Sequence, residues 1–213
     1  MTTRTGTRLS VFPLPGALLL PGAYLPLHIF EPRYKALVSD ALARDRRIAM
    51  IQPLPAYVAD EDAPPLFDVG CVGMIAQVEA MPDGRFNLVL EGLTRFRIVR
   101  EMDVATPFRQ VEADIEAYAS DAEDVDPLPS VIRADVEQEA RRFADAHGFE
   151  IQWDDVGRLD DEALVNGISQ VAPFDVAAKQ ALLEAASLAD RADLLVDFLR
   201  FFGLGTGEAP TLQ

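Results

Sequence analysis

Phe12-Pro13-Leu14-Pro15, Leu20-Pro21-Gly22 and Leu25-Pro26-Leu27-His28-Ile29-Phe30-Glu31-Pro32-Arg33-Tyr34 follow one another near the start of this 213-residue chain. Proline ends strands and helices, so the stretch reads as short elements joined by turns. Arg8–Leu14 and Leu25–Phe30 are two apolar strands, separated by Pro15-Gly16 and Pro21-Gly22 turns. Glu31-Pro32 opens a helix, because proline suits the first helical position. Tyr34, Leu37, Val38, Ala41 and Leu42 then recur at helical spacing.

The same character extends through the first half. Eleven of the 15 prolines lie in residues 1–110. Ile48–Ile51 reads as a buried strand and Tyr57–Phe67 as a surface loop. Val69–Ala80 and Arg85–Leu90 read as hairpin partners around Met81-Pro82-Asp83-Gly84. Glu91-Gly92 marks a bend or bulge before Thr94–Val99, and Arg109–Ala119 alternates apolar and polar residues as a strand with one solvated face. Seven or so short strands and one helix predict a small closed or nearly closed barrel over residues 1–120.

Asp121–Pro129 is acidic and aperiodic, and reads as a linker (121–129). The pattern then turns helical over 130–202. Ser130 is the expected cap of a helix to Ala146, stopped by Gly148. Asp160 and Asp175 open two more, and Ser187 with Asp190 opens the last. These make a bundle of about four helices. Residues 203–213 read as a flexible tail. The fold class expected is α+β.

Charge divides the chain at the same place. Residues 1–110 carry 12 basic and 12 acidic side chains; residues 111–213 carry 7 and 23, the whole imbalance of −16. An acidic surface repels phosphate backbones and anionic lipid, so neither nucleic acid nor membrane is an expected partner. The prolines at 13, 15, 21 and 26 break what could pass for a signal peptide, and no apolar run is long enough to span a bilayer. The expected compartment is the cytoplasm.

The inventory for chemistry is thin. There is one cysteine, two histidines, no G-x-x-x-x-G-K-[ST] and no G-x-S-x-G. No catalytic residue, cofactor or metal ligand is assigned. His28 with Glu31 is too small a set for a metal and reads as a hydrogen-bonded strand-end histidine. Cys71 reads as a buried hydrophobe. Arg95, Arg97 and Arg100 are expected to pair across strands with Glu79, Glu91 and Glu101. Leu18-Leu19-Leu20-Pro21 must either fold onto the barrel or present apolar surface. The second alternative makes Leu18, Leu19, Leu20 and Pro21 a candidate partner-binding surface.

The opening stretch resembles the N-terminal domain of the Lon protease family, whose signature runs P-L-F-P-L … P-G … L-P-L-x-I-F-E-x-R-Y. The likeness continues through Val69-Gly70-Cys71-Val72-Gly73, Glu91-Gly92-Leu93-Thr94-Arg95-Phe96-Arg97-Ile98, Lys179-Gln180-Ala181-Leu182-Leu183-Glu184 and Arg191-Ala192-Asp193-Leu194-Leu195. It implies a mostly-β pseudo-barrel of PUA-like type followed by helices, in a stand-alone bacterial member without ATPase or peptidase modules. The motif residues Pro13, Pro21, Gly22, His28, Phe30, Glu31, Pro32, Arg33, Tyr34, Gly92, Arg95 and Phe96 are expected to be structural. Glu31 and Arg33 would either pair locally or engage backbone groups at the helix start, and Tyr34 would anchor the helix on the barrel.

The resemblance favours a non-catalytic module that binds unfolded or exposed polypeptide segments, or a protease or chaperone component, as an adaptor in proteolysis. The alternative is a small-molecule-binding barrel. An unrecognised hydrolase ranks third.

Overall fold

A computed structural model describes residues 6–55, 64–123 and 125–203. The chain forms two compact units, residues 1–123 and 124–213. In the first, six strands appear: β1 (Thr7–Pro13), β2 (Tyr24–Ile29), β3 (Arg47–Ile51), β4 (Val69–Ala80), β5 (Phe86–Glu101) and β6 (Gln110–Asp114). Their order is β2-β5-β4-β3-β1-β6, and a further β5–β6 pairing closes five of them into a ring. The interior holds Leu9, Val11, Ala49, Ile51, Val72, Phe96, Val111 and Ala113. At about 25 cal/mol per Å² of apolar area removed from water, this filling is the main stabilisation of the ring.

β5 organises the barrel. One edge pairs with β4; the other pairs with β2 along Phe86–Glu91 and with β6 along Arg97–Glu101. The two strands expected over Arg85–Leu90 and Thr94–Val99 are therefore one. The expected irregularity is a bulge: Val72 faces Thr94 and Gly73 faces Gly92, so Leu93 is the extra residue. Helix α1 (Pro32–Leu42) starts at Pro32 and buries Tyr34, Leu37, Val38 and Ala41.

The strand expected over Arg109–Ala119 stops at Asp114. Its carboxylate accepts the Glu116 and Ala117 amides at 3.0 and 3.2 Å, turning the chain into a 3-10 segment, Glu116–Ala122. A side chain that caps amides two and three residues on competes with the ladder, and here it wins. The reading of Tyr57–Phe67 as a loop falls mostly outside the described residues, and the 203–213 tail does so beyond Gly203.

The second unit holds α2 (Ser130–His147), α3 (Trp153–Val156), α4 (Asp161–Val171), α5 (Val176–Glu184) and α6 (Leu188–Gly203). Asp160 and Asp175 cap α4 and α5, accepting from the Ala163 and Ala178 amides. Gly148 ends α2 with φ of 70°. Ser130 is not the cap; Pro129 holds that position and Ser130 begins the helix. α2 packs chiefly on α6. Arg191 of α6 is buried and donates to the Leu182 carbonyl and to Asn166 Oδ1, tying α5 and α4 to α6.

Arg133 of α2 reaches Asp161 at 2.6 Å, and Asp161 also accepts the Leu128 amide at 2.7 Å. The Arg133 hydrogen bond, then the Leu128 amide, holds the Asp161 carboxyl below its usual range. A depressed folded value stabilises the unit above the unfolded carboxylate range near about pH 3.9. That contribution is lost as pH falls through the folded value. The chain has one tryptophan, Trp153, and it lies in this unit. Melting followed by its emission is expected to fall more steeply below about pH 4 in the wild type than in Asp161→Asn, which lacks that linkage.

Candidate functional site

The family-motif residues come first, because the sequence singles them out. Phe12 and Tyr34 pack at 4.1 Å between centroids, and the Tyr34 hydroxyl donates to the Pro13 carbonyl at 3.3 Å. Burial raises the Tyr34 pKa above its usual value. Arg33 pairs with Glu31 at 3.0 Å and lies over the Tyr34 ring at 4.6 Å. His28 Nδ1 meets Asn87 Oδ1 at 2.7 Å, in register across β2 and β5. Phe30 stands 61% exposed.

The glycines explain the next group. A Cβ on Gly70 would fall 2.6 Å from the Phe96 ring, and one on Gly73 would fall 2.8 Å from Leu19. Gly22 and Gly92 are joined by a hydrogen bond from the Gly22 amide to the Gly92 carbonyl, 2.9 Å, and the Gly92 amide donates to Ala23 at 2.9 Å. These motifs are matched halves of one packing arrangement. Leu18, Leu19, Leu20 and Pro21 are all buried by it. The expectation of an apolar surface at Leu18–Pro21 is corrected: the loop folds inward, over β4 and β5, because two glycines there leave room for it.

The arginine face also differs from expectation. Arg95 is buried and binds Asp121, whose carboxylate lies 2.7 Å from Nη2 and accepts the Arg95 backbone amide at 2.8 Å. Arg97 donates to the Tyr118 hydroxyl, and Arg100 pairs with Glu112 at 2.7 Å. Glu101 belongs to Arg109. Of the three expected cross-strand ion pairs, Arg100 makes one, with Glu112 of β6; Arg95 pairs with a carboxylate of the 3-10 segment, and Arg97 hydrogen-bonds a tyrosine there. Cys71 is buried, as expected.

The largely apolar opening lies in the helical unit. A groove of about 510 Å³ runs between α2 (Ala140, Phe143, Ala144), α3 (Trp153, Val156) and α4 (Leu164, Gly167, Ile168, Val171). Phe149, Ile151 and Leu159 supply the connecting wall, and Leu199 of α6 completes it. Ligand clefts span roughly 300–1,000 Å³, so this one accommodates several side chains. Val171 is 80% and Phe149 48% exposed, so apolar surface here meets water. Arg141 stacks over Trp153 at 4.5 Å and holds the ring in place.

Gly167 is the informative residue. It sits inside α4, and a Cβ built on it meets nothing within 4 Å. Glycine in a helix interior costs about 0.5–1 kcal/mol relative to alanine. No close neighbour requires it, and its absent side chain leaves the groove open. Sequence reasoning passed over this site. The signal present in the sequence was Phe149, Ile151 and Trp153 at alternate positions in an acidic, aperiodic stretch, followed by a glycine inside a helix.

Among the described residues, no group of three His, Cys, Asp or Glu is arranged to hold a metal, and no helix is long and apolar enough to cross a membrane.

A family model described as the ATP-dependent protease La (LON) substrate-binding domain matches residues 8–200. The chain is 30% identical over 118 residues to Lon protease 2 of Myxococcus xanthus, covering 55% of this chain and 14% of that protease. It spans between 13% and 24% of the length of several curated Lon proteases that it matches. Among solved structures, it superposes on a Lon N-terminal domain protein from Xanthomonas campestris with a TM-score of 0.64. Identity there is 20%, covering 90% of this chain and 98% of the other. The N-terminal domain of a Mycobacterium avium complex Lon protease gives 0.62 at 22% identity, covering 91% and 98%.

Proposed function

This chain belongs to the ATP-dependent protease La (LON) substrate-binding domain family, and on that premise we propose that it is a polypeptide-recognition module for proteolysis. Its role is to bind, as an adaptor in the cytoplasm, and not to perform chemistry. The occupant proposed is a polypeptide segment that exposes apolar side chains, and the docking site is the groove of the helical unit.

The observation that carries this reading is Gly167, a helix-interior glycine facing open space on an apolar, partly exposed wall. It weakens α4 and keeps a cleft accessible. Trading stability for an open binding surface is a common cost of function. A small-molecule reading of the barrel has less support, since buried side chains occupy the ring's interior.

Gly167→Leu tests the reading without threatening the fold. Leucine is among the better helix formers, so the melting temperature is expected to hold or rise. The side chain would project into the groove. A fluorescein-labelled peptide with a Leu/Phe-rich core and Gly/Ser flanks is expected to bind the wild type, with a change in Trp153 emission. The variant is expected to bind at least about tenfold more weakly, a difference of about 1.4 kcal/mol. Equal binding by a stable Gly167→Leu protein would remove the groove from the reading.

A further inference from the structure

Basic side chains gather at one place in the barrel unit. Past α1, the Arg46 amide donates to the Ala41 carbonyl at 2.9 Å with φ of 61°, and this left-handed turn returns the chain into β3 at Arg47. β3 runs parallel to β1, and their pairing starts at Val11 and Ala49. Where it starts, a hollow of about 380 Å³ is lined by Ser10 of β1, Ala49 of β3 and three arginines, Arg8, Arg44 and Arg47. Each arginine is anchored through Nε: Arg8 donates to Gln110 Oε1, Arg44 donates to Asp40 at 3.0 Å, and Arg47 lies 4.0 Å from Asp45. Gln110 is buried and donates in turn to the Thr106 hydroxyl at 3.3 Å. Among the described residues, no Nη nitrogen of the three arginines has a hydrogen-bond partner, and neither has the Ser10 hydroxyl.

The charges at the hollow do not cancel. Three guanidinium groups line it against two carboxylates, Asp40 and Asp45. Glu112, in register with Arg8, is taken by Arg100 at 2.7 Å. Arg46, beside them, gives its guanidinium to the Ile75 carbonyl and adds a further positive charge. Arg44 and Arg47 are 63% and 43% exposed, and ion pairs this open contribute little, so an incoming anion exchanges for them readily. The chain's acidic excess lies in residues 111–213, and every residue lining the hollow precedes it. Guanidinium forks match phosphate oxygens, and a phosphate monoester brings about −1.5 to −2 charges on three strong acceptors. We propose that this hollow binds a phosphate monoester, held by the Nη nitrogens of Arg8, Arg44 and Arg47 and by the Ser10 hydroxyl. A carboxylate, with one charge and two oxygens, leaves more of these donors unfilled. The site belongs to the barrel unit and does not depend on the groove.

The test titrates the full chain calorimetrically at low ionic strength with O-phosphoserine, free and as the central residue of a Gly/Ser peptide. Aspartate and the unphosphorylated peptide are the controls. A phosphorylated probe is expected to bind with a Kd of about 1 mM or tighter, and the controls at least about tenfold more weakly. Arg8→Gln and Arg44→Gln each remove an exposed side chain that makes one hydrogen bond. Both variants are expected to keep the wild-type melting temperature and to bind the phosphorylated probe at least about tenfold more weakly. Arg158→Gln, in the helical unit, is expected to leave binding unchanged. A phosphopeptide that binds tighter than free phosphoserine supports the site and assigns the phosphate to a polypeptide; equal affinities support it and assign the phosphate to a small molecule. No saturation by either phosphorylated probe up to about 10 mM overturns the proposal. So does equal affinity for aspartate, or unchanged affinity in stable Arg8→Gln and Arg44→Gln proteins.

Discussion

Gly92→Ala is expected to unfold the barrel or to lower its melting temperature on the order of 10 °C. The alanine Cβ would lie 2.0 Å from the Leu20 carbonyl oxygen and 2.8 Å from its carbon. Both are backbone atoms, so no rotamer change relieves the clash. Leu20 is itself buried, and the adjoining Gly22 and Ala23 are hydrogen-bonded to Gly92. The loop cannot retreat without breaking the two bonds that seat it. Overpacking costs typically about 1–3 kcal/mol and more where backbone must move. A shift of about 3 kcal/mol is a large share of a total stability of about 5–15 kcal/mol. Gly16→Ala is the matched control. Its φ is +75°, but a Cβ there meets nothing within 4 Å. It carries only the left-handed backbone penalty of about 1–2 kcal/mol. Thermal melts followed by far-UV circular dichroism separate the two. A Gly92→Ala protein as stable as Gly16→Ala would contradict this account of the motif.

The second large effect is expected at Arg95 and Asp121. Both side chains are only 6% exposed, and Arg95 Nε and Nη2 both donate to the carboxylate. The guanidinium also lies over the Tyr118 ring at 4.7 Å. Position explains the arrangement. β2 and β6 share one edge of β5, and Arg95 falls in the gap between them. Its amide has no strand opposite on that edge, and Asp121 supplies the acceptor. Arg95→Ala leaves a buried carboxylate without its cation, and Asp121→Ala leaves the reverse. Each is expected to cost about 3–5 kcal/mol. Arg95→Lys is expected to recover little, because an ammonium cannot make the two-nitrogen contact. The double variant Arg95→Met with Asp121→Leu is expected to be more stable than either alanine single. A buried pair replaced as a unit is often near neutral, whereas a broken pair is not. If the double variant is less stable than both singles, the charge-pair explanation fails and shape alone matters.

The β-rich half was legible wherever a local rule governed it. Glu31-Pro32 announces α1, Met81–Gly84 announces the hairpin, and Gly92 announces the bulge. Each depends on residues a few positions apart. Asp160 and Asp175 were legible as caps for the same reason. What was not legible is what requires knowing which distant residues meet. The Leu18–Leu20 stretch is apolar whether it faces water or covers β4. Only the glycines at 73 and 92 decide, and they lie 50 or more residues away. Asp121 sits in a stretch whose composition reads as linker, yet its carboxylate closes a gap in a sheet edge 26 residues back. The groove is harder still. Its wall comes from four helices and the segments that connect them, and no one of these elements supplies it alone. The local marks it leaves are the alternating Phe149, Ile151 and Trp153 and the helix-interior Gly167.

The closed ring has a consequence for how the chain is made. β1 is synthesised before the other described strands, yet Ser10 pairs with Gln110 and Leu9 with Val111. At about 5–20 residues per second, β1 waits roughly 5–20 s on the ribosome for β6. β5 waits for it as well, since β6 completes its second edge. Until then the nascent chain carries open strand edges of the kind that other chains can pair with. Long-range pairing of this sort also makes refolding slow relative to the helical unit, whose contacts are more local. A protein proposed to bind exposed polypeptide is therefore, during its own birth, a chain with exposed strand edges, and its yield should depend on how fast residues 110–114 follow.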